Sequence, residues 1–360
     1  MKENLFMAEE NNILLPSPII DAKEDDSIKK LCKRYEKLVT PGMLAKAGKK
    51  AVEVIPKPIK NAGKKAKDAI TEQELYAQCM KVAVDGFGII EKQAAKLTVS
   101  ENTIVKKISE VSKGVNITSM DEVCLARSYD IAKLVNKYKT QDLGLALVEG
   151  GATGYFGFAG LPFNLVFSTF LYYRAVQSVA MYYGYDIKND PAELVIASDV
   201  FMNALSPNSQ GTNEVTGIIG KIMIMTEITT VKQLSKKTWE EMAKHGGVAL
   251  LICQMRALAN KAAQKALEKA GQKGLEESLF KGVFEQIGKN LSKKALGKVV
   301  PVAGAVIGAL FDTAQMNMVL EYADVFYNKR YLLEKEARIN TLIGASCPIE
   351  SIVIDDPKEY

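Results

Sequence analysis

From Gly150 to Tyr173 the chain reads GGATGYFGFAGLPFNLVFSTFLYY, 24 residues without a charge, closed by Arg174. That length would pass for a membrane span. Its first half, however, holds Gly150, Gly151, Gly154, Gly157, Gly160 and Pro162. Glycine and proline cost a helix about 1 and 3 kcal/mol relative to alanine. A simple transmembrane helix is therefore not the reading. Glycines 151, 154, 157 and 160 recur at every third position, which suits close helix–helix approach or a tight loop. From Phe163 to Tyr183 the sequence is apolar on nearly every side, the pattern of a central buried helix or of one facing lipid.

A second segment behaves alike. Lys298 to Ile339 contains the uncharged run Val299–Phe311, 13 residues, too short for a bilayer. Pro301, with Gly304 and Gly308 in a G-x-x-x-G spacing, again suits close packing, either as core helices or as a shallow membrane hairpin. Elsewhere, helix starts dominate. Thr71–Glu74, Ser119–Glu122 and Asp190–Glu193 have capping-box spacing before apolar periodic runs, the third with Pro191 at the first helical position. Alternating strand patterns are almost absent, apart from a short extended piece within Pro348–Asp356. The expectation is an all-α fold, a compact multi-helix domain with glycine-rich central helices in which the two glycine runs lie close together. Its map is an acidic mobile tail over 1–27, a basic amphipathic helical region over 28–70, the helical domain over 71–340 and a C-terminal tail over 341–360.

Charge is distributed unevenly. The 360 residues carry +5 overall, yet 29–67 hold 13 Lys and Arg against Glu36 and Glu53, a local +11 that leaves −6 for the rest. Leu44, Ala47, Ala51 and Ile55 fall on one helical face there, while Lys46, Lys49 and Lys50 lie away from it. A second basic stretch spaces Phe280, Val283, Phe284, Ile287 and Leu291 helically beside Lys281, Lys289, Lys293 and Lys294, and reads best as a core-facing helix. Acids predominate in the first 27 residues, which carry no signal-peptide pattern.

Several function classes are disfavoured. Only one histidine, His245, is present, so no His-rich metal site can form. It follows Trp239–Lys244 at a helix end closed by Gly246-Gly247, where a charge-favouring role suffices. Five cysteines (Cys32, Cys79, Cys124, Cys253 and Cys347) are scattered with no C-x-x-C pair, as in a reducing compartment. The glycine runs lack the Lys-Ser/Thr of a P-loop and the G-x-G-x-x-G of a dinucleotide fold, and no G-x-S-x-G elbow occurs. No cofactor and no metal is expected. Nucleic acid is disfavoured, because only Tyr35 is interleaved with the basic residues of 29–67.

The run Gly151-Ala152-Thr153-Gly154, Gly157 and Gly160-Leu161-Pro162, followed by an apolar helix and Tyr183-Gly184-Tyr185-Asp186, resembles the signature of the EcsC protein family. Val300-Pro301-Val302-Ala303-Gly304 to Gly308, leading into Asp312–Met318 and Asn328-Lys329-Arg330, is similar to that family's C-terminal pattern. The resemblance covers roughly 75–340. It implies a bacterial protein, named from a gene beside an ABC-transporter operon linked to secretion and membrane physiology, with no assigned reaction. The chain departs from it at Phe163-Asn164, where relatives often carry an acid after the Leu-Pro.

The functional expectation is a cytoplasmic protein at the inner membrane surface, a binding or regulatory module tied to transport or secretion. Lys46, Lys49, Lys50, Lys57, Lys60, Lys64, Lys65 and Lys67 would contact an anionic membrane, with a membrane transporter as a candidate partner. The alternative is a hydrolase in which Glu149 and Asp312, carboxylates in apolar surroundings, serve as acid and base.

Overall fold

Two residues decide where the first long helix begins. In Asp21-Ala22-Lys23-Glu24, the Asp21 carboxylate accepts from the Glu24 N–H at 2.7 Å, and the Glu24 carboxylate accepts from the Asp21 N–H at 3.3 Å. This reciprocal cap satisfies two N–H groups that a helix start leaves open. Helix α1 then runs Ala22–Val39. The computed structural model describes residues 6–7, 13–39, 72–95, 99–142, 161–205, 274–285 and 313–344, with single positions between 256 and 271.

After α1 come α2 (Glu72–Asp85), α3 (Phe87–Ala95), α4 (Glu101–Val111), a 3₁₀ turn (Asp121–Leu125), α5 (Ser128–Lys137), a π turn (Tyr138–Asp142), α6 (Leu161–Tyr182), α7 (Pro191–Leu205) and α8 (Thr313–Leu342). The fold is all-α. Among the described residues one ladder pairs β1 (Phe6–Met7) antiparallel with β2 (Leu14–Leu15), Phe6 opposite Leu15.

Helices α6 and α8 form the centre. α6 packs on α2, α3, α4, α5, α7 and α8, while α8 also meets α1, α5, α7 and the 3₁₀ turn. The sequence left α6 open between core and lipid. It is core: Val166, Phe170, Tyr173, Val176, Val179 and Tyr182 are fully buried. Phe170 stacks edge-on against Phe87 and Phe280, with ring centroids 5.5 and 4.9 Å apart, geometries that favour aromatic pairs. Arg174 is paired with Glu276 at 3.1 Å. Phe280, Val283 and Phe284 are buried, as expected of a core-facing helix. None of the described helices is long and apolar enough to cross a membrane.

The capping signals meet different fates. Asp190 Oδ1 accepts from Ala192 N at 2.9 Å and opens α7. Glu122 reaches back to the N–H groups of Thr118 and Ser119, but it opens only the five-residue 3₁₀ turn. Helix α2 begins at Glu72, as the Thr71–Glu74 spacing predicts.

The boundary placed at residue 27 needs correction. Helix α1 crosses it, and Glu24 is fully buried. Ile13, Leu15 and Ile19 pack against Cys124, Leu125 and Ile339, so residues 13–27 belong to the folded core. The acids that made this segment look solvated include Asp21 and Glu24, and both are consumed by helix capping and ion pairing.

Candidate functional site

On α8, residues 324, 328, 331 and 335 follow a 4-3-4 spacing and share one face; 327, 330, 334 and 338 share the next. Both faces are unusually charged for a buried helix. Asp324, Arg330 and Lys335 expose 3% or less of their surface. Charges are almost never buried unless paired, and these are paired.

Lys335 Nζ donates to Glu24 Oε1 at 2.7 Å, and both side chains are wholly inaccessible. Glu24 also accepts from Ser128 N at 2.8 Å and from Arg127 at 3.0 Å. One carboxylate therefore caps α1, meets the start of α5 and neutralises α8. Burial, against the pull of Glu24, holds the Lys335 amine below its ordinary value. About three turns along, Arg34 donates to Glu321 and Asp324 (2.5 and 2.7 Å), and Lys139 donates to the same two acids (3.0 and 3.3 Å). The Tyr183 hydroxyl donates to Asp324 at 2.8 Å. Early α1 thus meets late α8, and late α1 meets early α8, so the two run antiparallel. Helix α5 begins beside Glu24 and ends beside Asp324, so it runs parallel to α1.

The second face of α8 closes on α7. Arg330 makes a bidentate pair with Glu193 (2.7 and 2.8 Å) and a third bond to Glu334 at 2.9 Å. Fork-to-fork pairing of this kind is the strongest ordinary ion-pair geometry. Burial raises the Glu193 carboxyl, but Arg330, Arg256 and Arg338 outweigh it and hold the group below its usual range. Two guanidiniums lie over the Tyr185 ring, Arg330 at 4.0 Å and Arg338 at 4.9 Å from its centroid, and its hydroxyl donates to Glu334 at 2.9 Å.

Gly184 makes this corner possible. Its φ of +78° is left-handed, and a Cβ there would lie 2.5 Å from Arg338 Nη2 and 2.8 Å from Val123 Cβ. Arg338 instead donates to the Tyr183 and Gly184 carbonyls at 2.9 and 2.8 Å. Chemically, these acids are saturated by cations; the arrangement clamps α1, α5, α7 and α8 together. Among the described residues no group of His, Cys, Asp or Glu is arranged to hold a metal.

Outside this clamp, α1 turns a different face outward. Leu31, Tyr35 and Leu38 are buried and Arg34 reaches inward, whereas Lys29, Lys30, Lys33 and Lys37 are exposed with no ion-pair partner among the described residues. These four open the 29–67 charge concentration. The membrane contacts proposed from the sequence, Lys46, Lys49, Lys50, Lys57, Lys60, Lys64, Lys65 and Lys67, all lie outside the described residues, as do Glu149, Asp312, His245 and the row Leu44–Ile55. So do Gly151, Thr153, Gly154, Gly157, Gly160, Pro301, Gly304 and Gly308, and with them the expected meeting of the glycine runs. Pro162 is described and buried.

Sequence reasoning missed Glu24, Glu193, Arg330 and Lys335 as a connected set. A signal was present. Asp21–Glu24 carries the same capping-box spacing read at three other places, and Lys335 falls seven residues before Leu342 within an otherwise buried helical row.

A buried lattice of paired charges joining α1 and α8 of an all-α domain, with the Tyr183-Gly184-Tyr185 corner beside it, defines the class. The chain belongs to the EcsC protein family, whose family model matches residues 25–332. No curated protein and no solved structure matches the chain.

Proposed function

We propose that this EcsC-family protein is a peripheral module of an anionic membrane surface, on the cytoplasmic side of the inner membrane, with a binding or regulatory task in transport or secretion. A membrane transporter is the protein partner that this reading suggests. The observation that carries it is the +11 concentrated in 29–67 against −6 elsewhere, together with the outward position of its first lysines on α1. Each Lys or Arg held near an anionic bilayer contributes about 1 kcal/mol of attraction. No described helix is both long and apolar enough to span, and attachment through the surface is the mode in keeping with this.

The test is a membrane pellet washed with high salt, then with carbonate. Release by salt supports surface binding; a protein that never pellets removes the reading. Vesicle affinity should rise with anionic lipid and fall as salt shortens screening from about 10 Å at 0.1 M to about 3 Å at 1 M. Replacing Lys46, Lys49, Lys50, Lys60, Lys64 and Lys65 with Gln should lower partitioning by several orders of magnitude if all six face lipid.

A further inference from the structure

We infer that the membrane contact extends onto the folded core, as a platform formed by the outer face of α1 and the C-terminal end of α5. This rests on the membrane reading above and goes further, because it fixes how the core is oriented.

Helices α1 and α5 run parallel, both tied to α8, so their C-terminal ends lie at the same end of the bundle. Lys30, Lys33 and Lys37 are exposed over the last turns of α1, Lys29 lies on the same outward face, and Lys137 is exposed at the end of α5. Helix C-termini favour nearby cations, so these positions suit lysine without any partner. The acids at this end, Glu321 and Asp324, are already matched by Arg34 and Lys139. Lys133 is matched by Asp130. Among the described side chains of α1 the exposed acids, Asp25 and Asp26, sit toward its opposite end, one turn before Lys29 and Lys30; α1 also carries Glu36, which lies outside the described side chains. These five lysines, without an ion-pair partner among the described residues, therefore stand as a net-basic patch, continuous in sequence with the basic segment that follows Val39.

The occupant to which this commits is an anionic bilayer, for two reasons. The patch continues a segment rich in lysine and poor in aromatics, which suits a fluid charged surface more than base stacking. Its lysines are spread along a helix flank and do not converge on one point, so they match many headgroups and no single small anion. Arg34, clamped to Glu321 and Asp324, makes the platform rigid, and the core should meet the bilayer in one orientation.

The experiment uses the full chain and vesicles of equal parts phosphatidylglycerol and phosphatidylcholine, with phosphatidylcholine alone as the uncharged reference. A variant with Gln at 29, 30, 33, 37 and 137 should lose about 3,000-fold in partitioning, since each lysine near the surface is worth about fivefold. A variant with Arg at the same five positions should bind like the parent. Two subsets, K29Q/K33Q and K37Q/K137Q, read the same effect if the fivefold variant does not fold. Parent-like binding by the Gln variants, together with loss on the 46–65 substitutions, overturns the platform and leaves the membrane reading standing. Equal loss with Gln and Arg overturns the electrostatic platform. Salt-sensitive binding to duplex DNA with none to vesicles overturns both.

Discussion

Glu193 shows how much rests on one side chain. Its spacing from Asp190 has the form of a capping box, yet its carboxylate turns inward to Arg330. Replacing it with Gln leaves a buried guanidinium short of its counter-charge, a change that costs about 3–5 kcal/mol. Urea unfolding at neutral pH checks the size. The acid limb checks the cause. Glu193 and Glu321 both have folded carboxyls held low: burial acts against this, and Arg330 for the first, Lys139 and Arg34 for the second, overcome it. Their contribution is complete above the ordinary carboxylate range and is lost as pH falls through the lowered folded values. Glu276, raised by burial against Arg174, has the opposite sign. We expect stability to fall steeply in acid, and the E193Q variant to show a shallower fall. Gly184→Ala is a second residue-scale case. A left-handed residue with a side chain costs about 1–2 kcal/mol and crowding in a packed site about 1–3, so a loss of roughly 2–5 kcal/mol in chemical denaturation is expected.

At the scale of elements, the α1–α8 contact can be divided experimentally. Glu24→Leu or Lys335→Met alone strands a buried charge and should cost about 3–5 kcal/mol, while the double change E24L/K335M should recover the part due to the pair, but not the bonds that Glu24 accepts from Ser128 N and Arg127. A double-mutant cycle reads the coupling; simple addition of the two losses would show that the residues do not act as a pair. The same contact explains what could be read from the sequence. Helix content, the α7 cap with Pro191 and the core face of residues 280–284 were legible because periodicity and capping are local. Tyr183-Gly184-Tyr185 and Asn328-Lys329-Arg330 were visible as motifs, but their meaning was not. Gly184 is required by Arg338 and Val123, more than 60 residues away on either side, and no local pattern carries that. The acidic look of the first 27 residues misled for a related reason: composition reports charge, and only the partner on α8 reveals that Glu24 is neutralised inside the core.

For the whole molecule, the charge pattern separates two tasks. Inward charges hold helices together, and outward lysines on α1 and α5 have no ion-pair partner among the described residues. Substituting the outward set should therefore leave the melting temperature nearly unchanged, because solvated surface changes rarely exceed about 0.5 kcal/mol; calorimetry on the K29Q/K33Q and K37Q/K137Q variants tests it. The Glu24–Lys335 pair has one more implication, and it concerns time. Its members are 311 residues apart. At a synthesis rate of about 5–20 residues per second, on the order of 15–60 s separate the emergence of Glu24 from that of Lys335. Throughout that interval α1 has no α8 to lie against, and Leu31, Tyr35 and Leu38 remain without their final cover. The nascent chain thus carries its lysine-flanked first helix free beside the ribosome until the last long helix arrives to lock it in place.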